Sequence, residues 1–218
     1  MTTTLTAAAK PRLRGWLHAV AFPMAIAAGV LLIALSPSAG GVAATAIYTV
    51  TSALLFGTSA LYHRSVLSPR GIEVLRRMDH SNIYLIIAGT YTPFAVLALS
   101  DGARLAVLLT IWIGAAAGVI FRTVWLGAPR WLYTSLYIGL GWVAVLFIPQ
   151  FLNGVGLAAV VLIIVGGLSY SGGAVVYALK RPDPWPRWFG FHEVFHSLTI
   201  AGYACQWTAV LLVVLAAR

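Results

Sequence analysis

"FHEVFHSLTIAGYACQWTAVLLVVLA", residues 191–216, opens with His192, Glu193 and His196 in an H-E-x-x-H pattern and then runs without a charge to its end. The pattern is that of a metalloprotease helix, in which two histidines one turn apart hold zinc and the glutamate acts as general base. The run itself is long enough to cross ~30 Å of hydrocarbon, for which about 20 apolar residues suffice. The two readings put the chain in different solvents, and composition decides between them. Of 218 residues, 61% are hydrophobic and 9% charged, with a mean hydropathy of +0.92. Soluble domains carry roughly 25% charged residues. A chain this poor in charge cannot cover a water-facing surface, so lipid is its solvent.

Working outward from 191–216, six more uncharged stretches of bilayer length precede it, at 16–35, 41–62, 82–99, 105–121, 131–149 and 155–179. Turn signals separate them, including "SPSAGG", "SDG", "NGVG" and "RPDPWP". The expected fold is an all-α integral membrane protein, a seven-transmembrane-helix bundle over 15–218. Residues 1–14 are polar, rich in Ala and Thr, and expected to be a disordered tail. The first span could be mistaken for a secretory signal, but its apolar run exceeds the roughly 7–15 residues of an h-region. It reads as a retained anchor.

The net charge of +9 does not point to nucleic acid, because the basic residues fall in short clusters between apolar runs. With seven crossings, twelve of the fourteen Lys and Arg share one side, and only Arg104 and Arg218 lie on the other. Basic loops stay in the cytoplasm. This predicts a multi-pass protein of the cell membrane with the N-terminus cytoplasmic and the C-terminus outside. The single cysteine, Cys205, excludes an internal disulfide and a cysteine-rich metal site.

On a helix, His192 and His196 lie one turn apart, near enough for both imidazoles to reach one ion. In the seven-span topology they open the last helix at its cytoplasmic end, His63 closes the second there, and Asp79 opens the third. Ionisable groups at one depth of a bundle normally face inward and are functional. Three neutral imidazoles, His63, His192 and His196, suit catalytic Zn²⁺, leaving a fourth position for water. For Asp79 two roles fit: an N-cap, or a hydrogen bond to that water. Ser59, one turn from His63 on the same face, can donate to a substrate carbonyl or serve helix packing. Glu193 can act as general base or stabilise the start of its helix. His80 points about 100° from Asp79 and is not counted as a ligand, and His18 reads as interfacial packing. Pro93, in "AGTYTPF", is expected to kink the third helix and free a carbonyl that Thr90 or Thr92 helps to satisfy.

"GTSALYHRSV", "RRMDHSNIYLIIAGTYTPF" and "FGFHEVFHSLTIAGY" together closely resemble the hemolysin III family. That family is the bacterial branch of the progestin and adipoQ receptors, within a wider set of seven-helix proteins that includes alkaline ceramidases. The resemblance runs from about residue 12 to the end. It implies seven helices, a cytoplasmic N-terminus and zinc near the cytoplasmic face. His63 matches the family's second-helix histidine, Ser59 its serine, Asp79 its third-helix aspartate, and His192 and His196 its histidine pair. In the family's first motif only His18 matches, and the acidic residue is absent. The related receptors keep the histidine pair without the glutamate, which argues against an obligatory role for Glu193.

Two classes of function follow. The first is a zinc-dependent hydrolase of a lipid amide or ester, with a membrane lipid as substrate; the substrate class comes from the ceramidase relatives. The second is non-enzymatic: a receptor-like or membrane-homeostasis protein with structural zinc, or a cytolytic pore-former.

Overall fold

In the computed structural model, which describes residues 11–218, the chain is helical apart from one isolated bridge between Trp185 and Phe189. The helices are α1 (Trp16–Leu35), α2 (Ala39–Arg64), α3 (Pro69–Ala98), α4 (Asp101–Val124), α5 (Arg130–Gly141), α6 (Ile148–Leu179) and α7 (Phe191–Ala216). A 3-10 segment, Trp142–Phe147, joins α5 to α6. Six helical stretches among the described residues are long and apolar enough to cross a bilayer, and this is a multi-pass membrane protein. The fifth stretch is the whole of Arg130–Leu179, where the sequence predicts two spans. It is not straight. Gly156 interrupts α6 with φ 77° and ψ 169°, a backbone conformation essentially confined to glycine. Beyond it the chain runs back beside α5: the Tyr133 and Tyr177 rings lie 6.4 Å apart, and Trp142 Nε1 donates to Ser171 Oγ at 2.9 Å.

The start of α3 departs from expectation. Hydropathy places the third span at 82–99, but the helix begins at Pro69, with Ser68 capping it through a hydrogen bond from the Gly71 amide. Proline suits the first helical position because its missing N–H would be unsatisfied there anyway. Arg70, Glu73, Arg76 and Arg77 therefore ride on a helix rather than in a loop, and Glu73 and Arg77 pair one turn apart. Hydropathy marks where hydrocarbon begins, not where the helix begins. Asp79 consequently sits well inside α3, and its capping role falls away.

Pro93 also behaves differently from expectation. Thr90 Oγ1 donates to the Ile86 carbonyl at 2.7 Å and Thr92 Oγ1 to the Ala88 carbonyl at 2.8 Å. Neither reaches the Gly89 carbonyl, the one that the proline deprives of its donor. α3 continues through Pro93 to Ala98.

Close backbone approaches hold α1 to α4 together. Gly29 sits against Thr49, Gly89 against Thr51 and Gly118 against the Tyr84 ring, with no room for a Cβ at any of them. Small residues play this part where lipid removes the hydrophobic drive between helices. Of the expected tail, residues 1–10 lie outside the described residues. Arg12 and Leu13 donate from their amides to the Arg187 and Trp188 carbonyls at 3.0 and 3.2 Å, which ties this segment to the α6–α7 loop. Gly15 then turns the chain into α1 at φ 80°, and a Cβ there would lie 2.7 Å from that of His63.

Candidate metal centre

His63 comes from the last turn of α2, and His192 and His196 from the first turns of α7. One ring nitrogen from each lies within 4.8 Å of the other two. His63 Nε2 and His192 Nε2 are 3.0 Å apart. Two nitrogens bound to one tetrahedral Zn²⁺ at about 2.05 Å would sit about 3.3 Å apart, so this pair is already near ligand spacing. The residues fit a metal ion. No carboxylate belongs to the cluster, which leaves three imidazoles as its donors.

Asp79 and Ser59 line the same cavity as the histidines. Ser59 is 2% exposed, and its hydroxyl acts on the Asp79 carboxylate. The structure thus joins the serine to the aspartate across α2 and α3, a contact that neither residue's own helix announces.

Glu193 occupies a different position. It is 1% exposed and does not line the cavity. Arg14 Nε donates to its Oε1, and the Gly190 amide donates to its Oε2 at 2.9 Å. Both oxygens are engaged at the base of α7, one by a residue 179 positions away.

His18 was underestimated from the sequence. It is 2% exposed, not interfacial, and its ring stacks on His196 at 3.8 Å between centroids and 4° between planes. Phe56 meets its edge at 5.0 Å, which closes a wall behind His196. The signal for it in the sequence is its position at the start of the first span. His80 is not part of the triad; its Nδ1 lies 2.7 Å from the Arg76 carbonyl oxygen.

The cavity has a volume of about 500 Å³. Its lining on α7 runs from Phe191 to Gln206, and on α3 from Arg76 to Phe94. At ~1.5 Å per residue these runs cover about 22 and about 27 Å along their helices. The histidines and the charged groups gather at one end, while Leu55, Ile87, Phe94, Phe151 and Val160 line the deeper part, with Thr90 and Gln206 among them. A compact polar head and a long apolar tail would both find matching surroundings.

The Haemolysin-III related family matches residues 6–207. Among curated proteins, the chain is similar to a hemolysin-3 homolog of Bacillus subtilis (strain 168), 29% identical over 197 residues, which is 89% of each chain. It is also 30% identical over 201 residues to hemolysin-3 of Bacillus cereus, covering 91% of this chain and 89% of that one.

Proposed function

The chain belongs to the Haemolysin-III related family, and we propose that it is a zinc-dependent hydrolase of a lipid amide or ester bond. The carrying observation is a cluster of three imidazoles with no protein carboxylate in it, opening on a cavity that is polar at the histidines and apolar beyond. A structural zinc site is normally closed by four protein ligands, whereas a catalytic one keeps a position open. Three donors beside a cavity favour the catalytic class over a structural tie.

His63, His192 and His196 would hold the ion. Zn²⁺ in such a site polarises a carbonyl and acidifies water. Asp79 then takes a proton from the attacking water and returns it to the leaving group, and Ser59 acts on its carboxylate to orient it. The apolar lining receives the acyl chain and excludes bulk water. Glu193 we assign to holding α7: its two oxygens accept from Arg14 and the Gly190 amide, and it does not line the cavity. His18 is a positioning residue that fixes the plane of His196 by stacking.

The proposed topology has seven crossings with the N-terminus in the cytoplasm. The reversal at Gly156 and the α5–α6 contacts support two crossings within Arg130–Leu179. The basic-residue asymmetry supports the orientation. In a Cys205→Ala background, a cysteine added after Arg218 should label from outside intact cells, and one at Arg76 only after permeabilisation. The reverse pattern would put the metal centre at the outer face.

The hydrolase reading is tested by incubating purified zinc-loaded protein with mixed membrane lipids and identifying products by mass spectrometry. Asp79→Asn should keep zinc and most thermal stability while turnover falls by at least about 100-fold, the scale of general acid–base catalysis. If the wild type releases no product and Asp79→Asn sheds its zinc, the site is structural.

A further inference from the structure

Arg122, at the end of α4, and Arg130, at the start of α5, line the cavity beside the histidine end, together with Arg76 of α3. Each of the first two lies over a tyrosine ring: the Arg122 guanidinium is 4.3 Å from the Tyr133 centroid, and that of Arg130 is 5.2 Å from the Tyr177 centroid. Arg122 is 1% exposed. Its Nη1 donates to the Trp125 and Leu126 carbonyls at 3.3 and 3.5 Å, and its Nε has no hydrogen-bond partner. Nη1 of Arg130 is also buried without a partner.

None of the three has an acidic counter-charge. The ion pairs among the described residues are Arg14–Glu193, Arg77–Glu73 and Arg104–Asp101. Among the described residues, Asp79 is the only acidic one lining the cavity, and the side chain that acts on it is Ser59. Removing an ion from water is costly even after relaxation. Carbonyl bonds and the tyrosine face offset only part of that cost. Topological anchoring accounts for arginine at this end of a helix, but an anchoring side chain reaches outward to water and headgroups. Arg122 is turned inward.

We propose that Arg76, Arg122 and Arg130 form a subsite for the phosphate-type anionic headgroup of a membrane lipid whose acyl chain occupies the apolar part of the cavity. A guanidinium offers a planar fork matched to phosphate oxygens, and several around one pocket suit an oxyanion of more than one charge. The subsite adjoins the metal centre. Tyr177, beneath Arg130, lies 5.8 Å from the His192 ring, and Tyr133, beneath Arg122, lies 6.3 Å from His80. All three arginines act electrostatically on His80, which places them around one region. The inference rests on the lipid reading of the cavity but not on bond cleavage.

Binding to the purified full chain in neutral detergent tests it, with lysophosphatidic acid, the monoacylglycerol of the same acyl chain, and inorganic phosphate as probes. Chelator-treated protein and a His192→Ala variant are run in parallel, so that no signal comes from a metal-bound phosphate. Lysophosphatidic acid should bind at least about ten-fold more tightly than monoacylglycerol, and added salt should shrink the gap. Arg130→Gln and Arg76→Gln should each cut that ratio about three-fold or more, while Arg130→Lys recovers part of it. Both retain the buried Arg122, whose replacement risks misfolding. Equal binding of the two amphiphiles, with no effect of Arg130→Gln, overturns the subsite. Inorganic phosphate binding as tightly as lysophosphatidic acid overturns the lipid assignment. If neither amphiphile binds, the lipid reading of the cavity itself fails, whereas absence of turnover leaves the binding ratio intact.

Discussion

The cavity has two unlike walls. On the side of α2, α3 and α4, Gly89 meets Thr51 and Gly118 meets the Tyr84 ring with no space for a methyl group. On the α5 side, Gly139, Gly141 and Gly156 face open space; α5 gives way after Gly141 to a 3-10 segment with no buried residue. His63, Ser59 and Asp79 stand on the tight wall, while the loose wall contributes Tyr133, Tyr137 and Ile138 to the lining. A metal site needs ligands fixed within a fraction of an ångström. A route for a lipid tail needs backbone that can yield at low cost, and sparse contact supplies that. On the proposed reading, α7 brings two of the ligands to the tight wall, and the tail is received on the loose one.

The largest effect should come from the ligands themselves. His196→Ala should lower zinc from near one per chain to near zero by elemental analysis, without unfolding the bundle. If all three single alanine variants, at His63, His192 and His196, keep stoichiometric zinc, the metal centre is elsewhere. Next is Glu193→Ala, which strips Arg14 and the Gly190 amide of their acceptor. It should cost about 3 kcal/mol, the lower end for breaking a buried ion pair, since Arg14 keeps some solvent contact. Zinc content should survive. Zinc loss without a fall in melting temperature would restore Glu193 to the metal chemistry.

The contrast between the walls is tested more directly by matched glycine substitutions. Gly89→Ala should destabilise by roughly 1–3 kcal/mol through overpacking against Thr51. Gly139→Ala, in the open part of α5, should be neutral or stabilise by up to about 1 kcal/mol through helix propensity alone. Melting in one detergent compares them. Equal losses at both positions would abolish the distinction between the walls.

Much of the site was legible because its signals are local. His192 and His196 are one turn apart, so any helix brings them together, and the depth of His63 follows from where its apolar run stops. Asp79 is visible as a charge beside an apolar run, but its helix begins at Pro69, well before that run, because the charged turns of α3 carry no hydropathy signal. Arg14 and Glu193 could not be paired by inspection, since 179 positions separate them. Arg122 and Arg130 were legible only as charges that orient helices. Which way a guanidinium turns is set by neighbours such as Tyr133 and Tyr177.

By itself the sequence determined the solvent, the helical class, the family resemblance and the histidine pair. Each depends on composition or on spacing within one helix, where 3.6 residues per turn leaves little freedom. Tertiary structure alone decided that His63 meets His192, that His18 stacks on His196 and that Glu193 is committed to Arg14. It also turned Arg122 into the cavity and folded Arg130–Leu179 back at Gly156. These depend on how helices rotate and approach one another, and that is set by side-chain packing between segments distant in sequence.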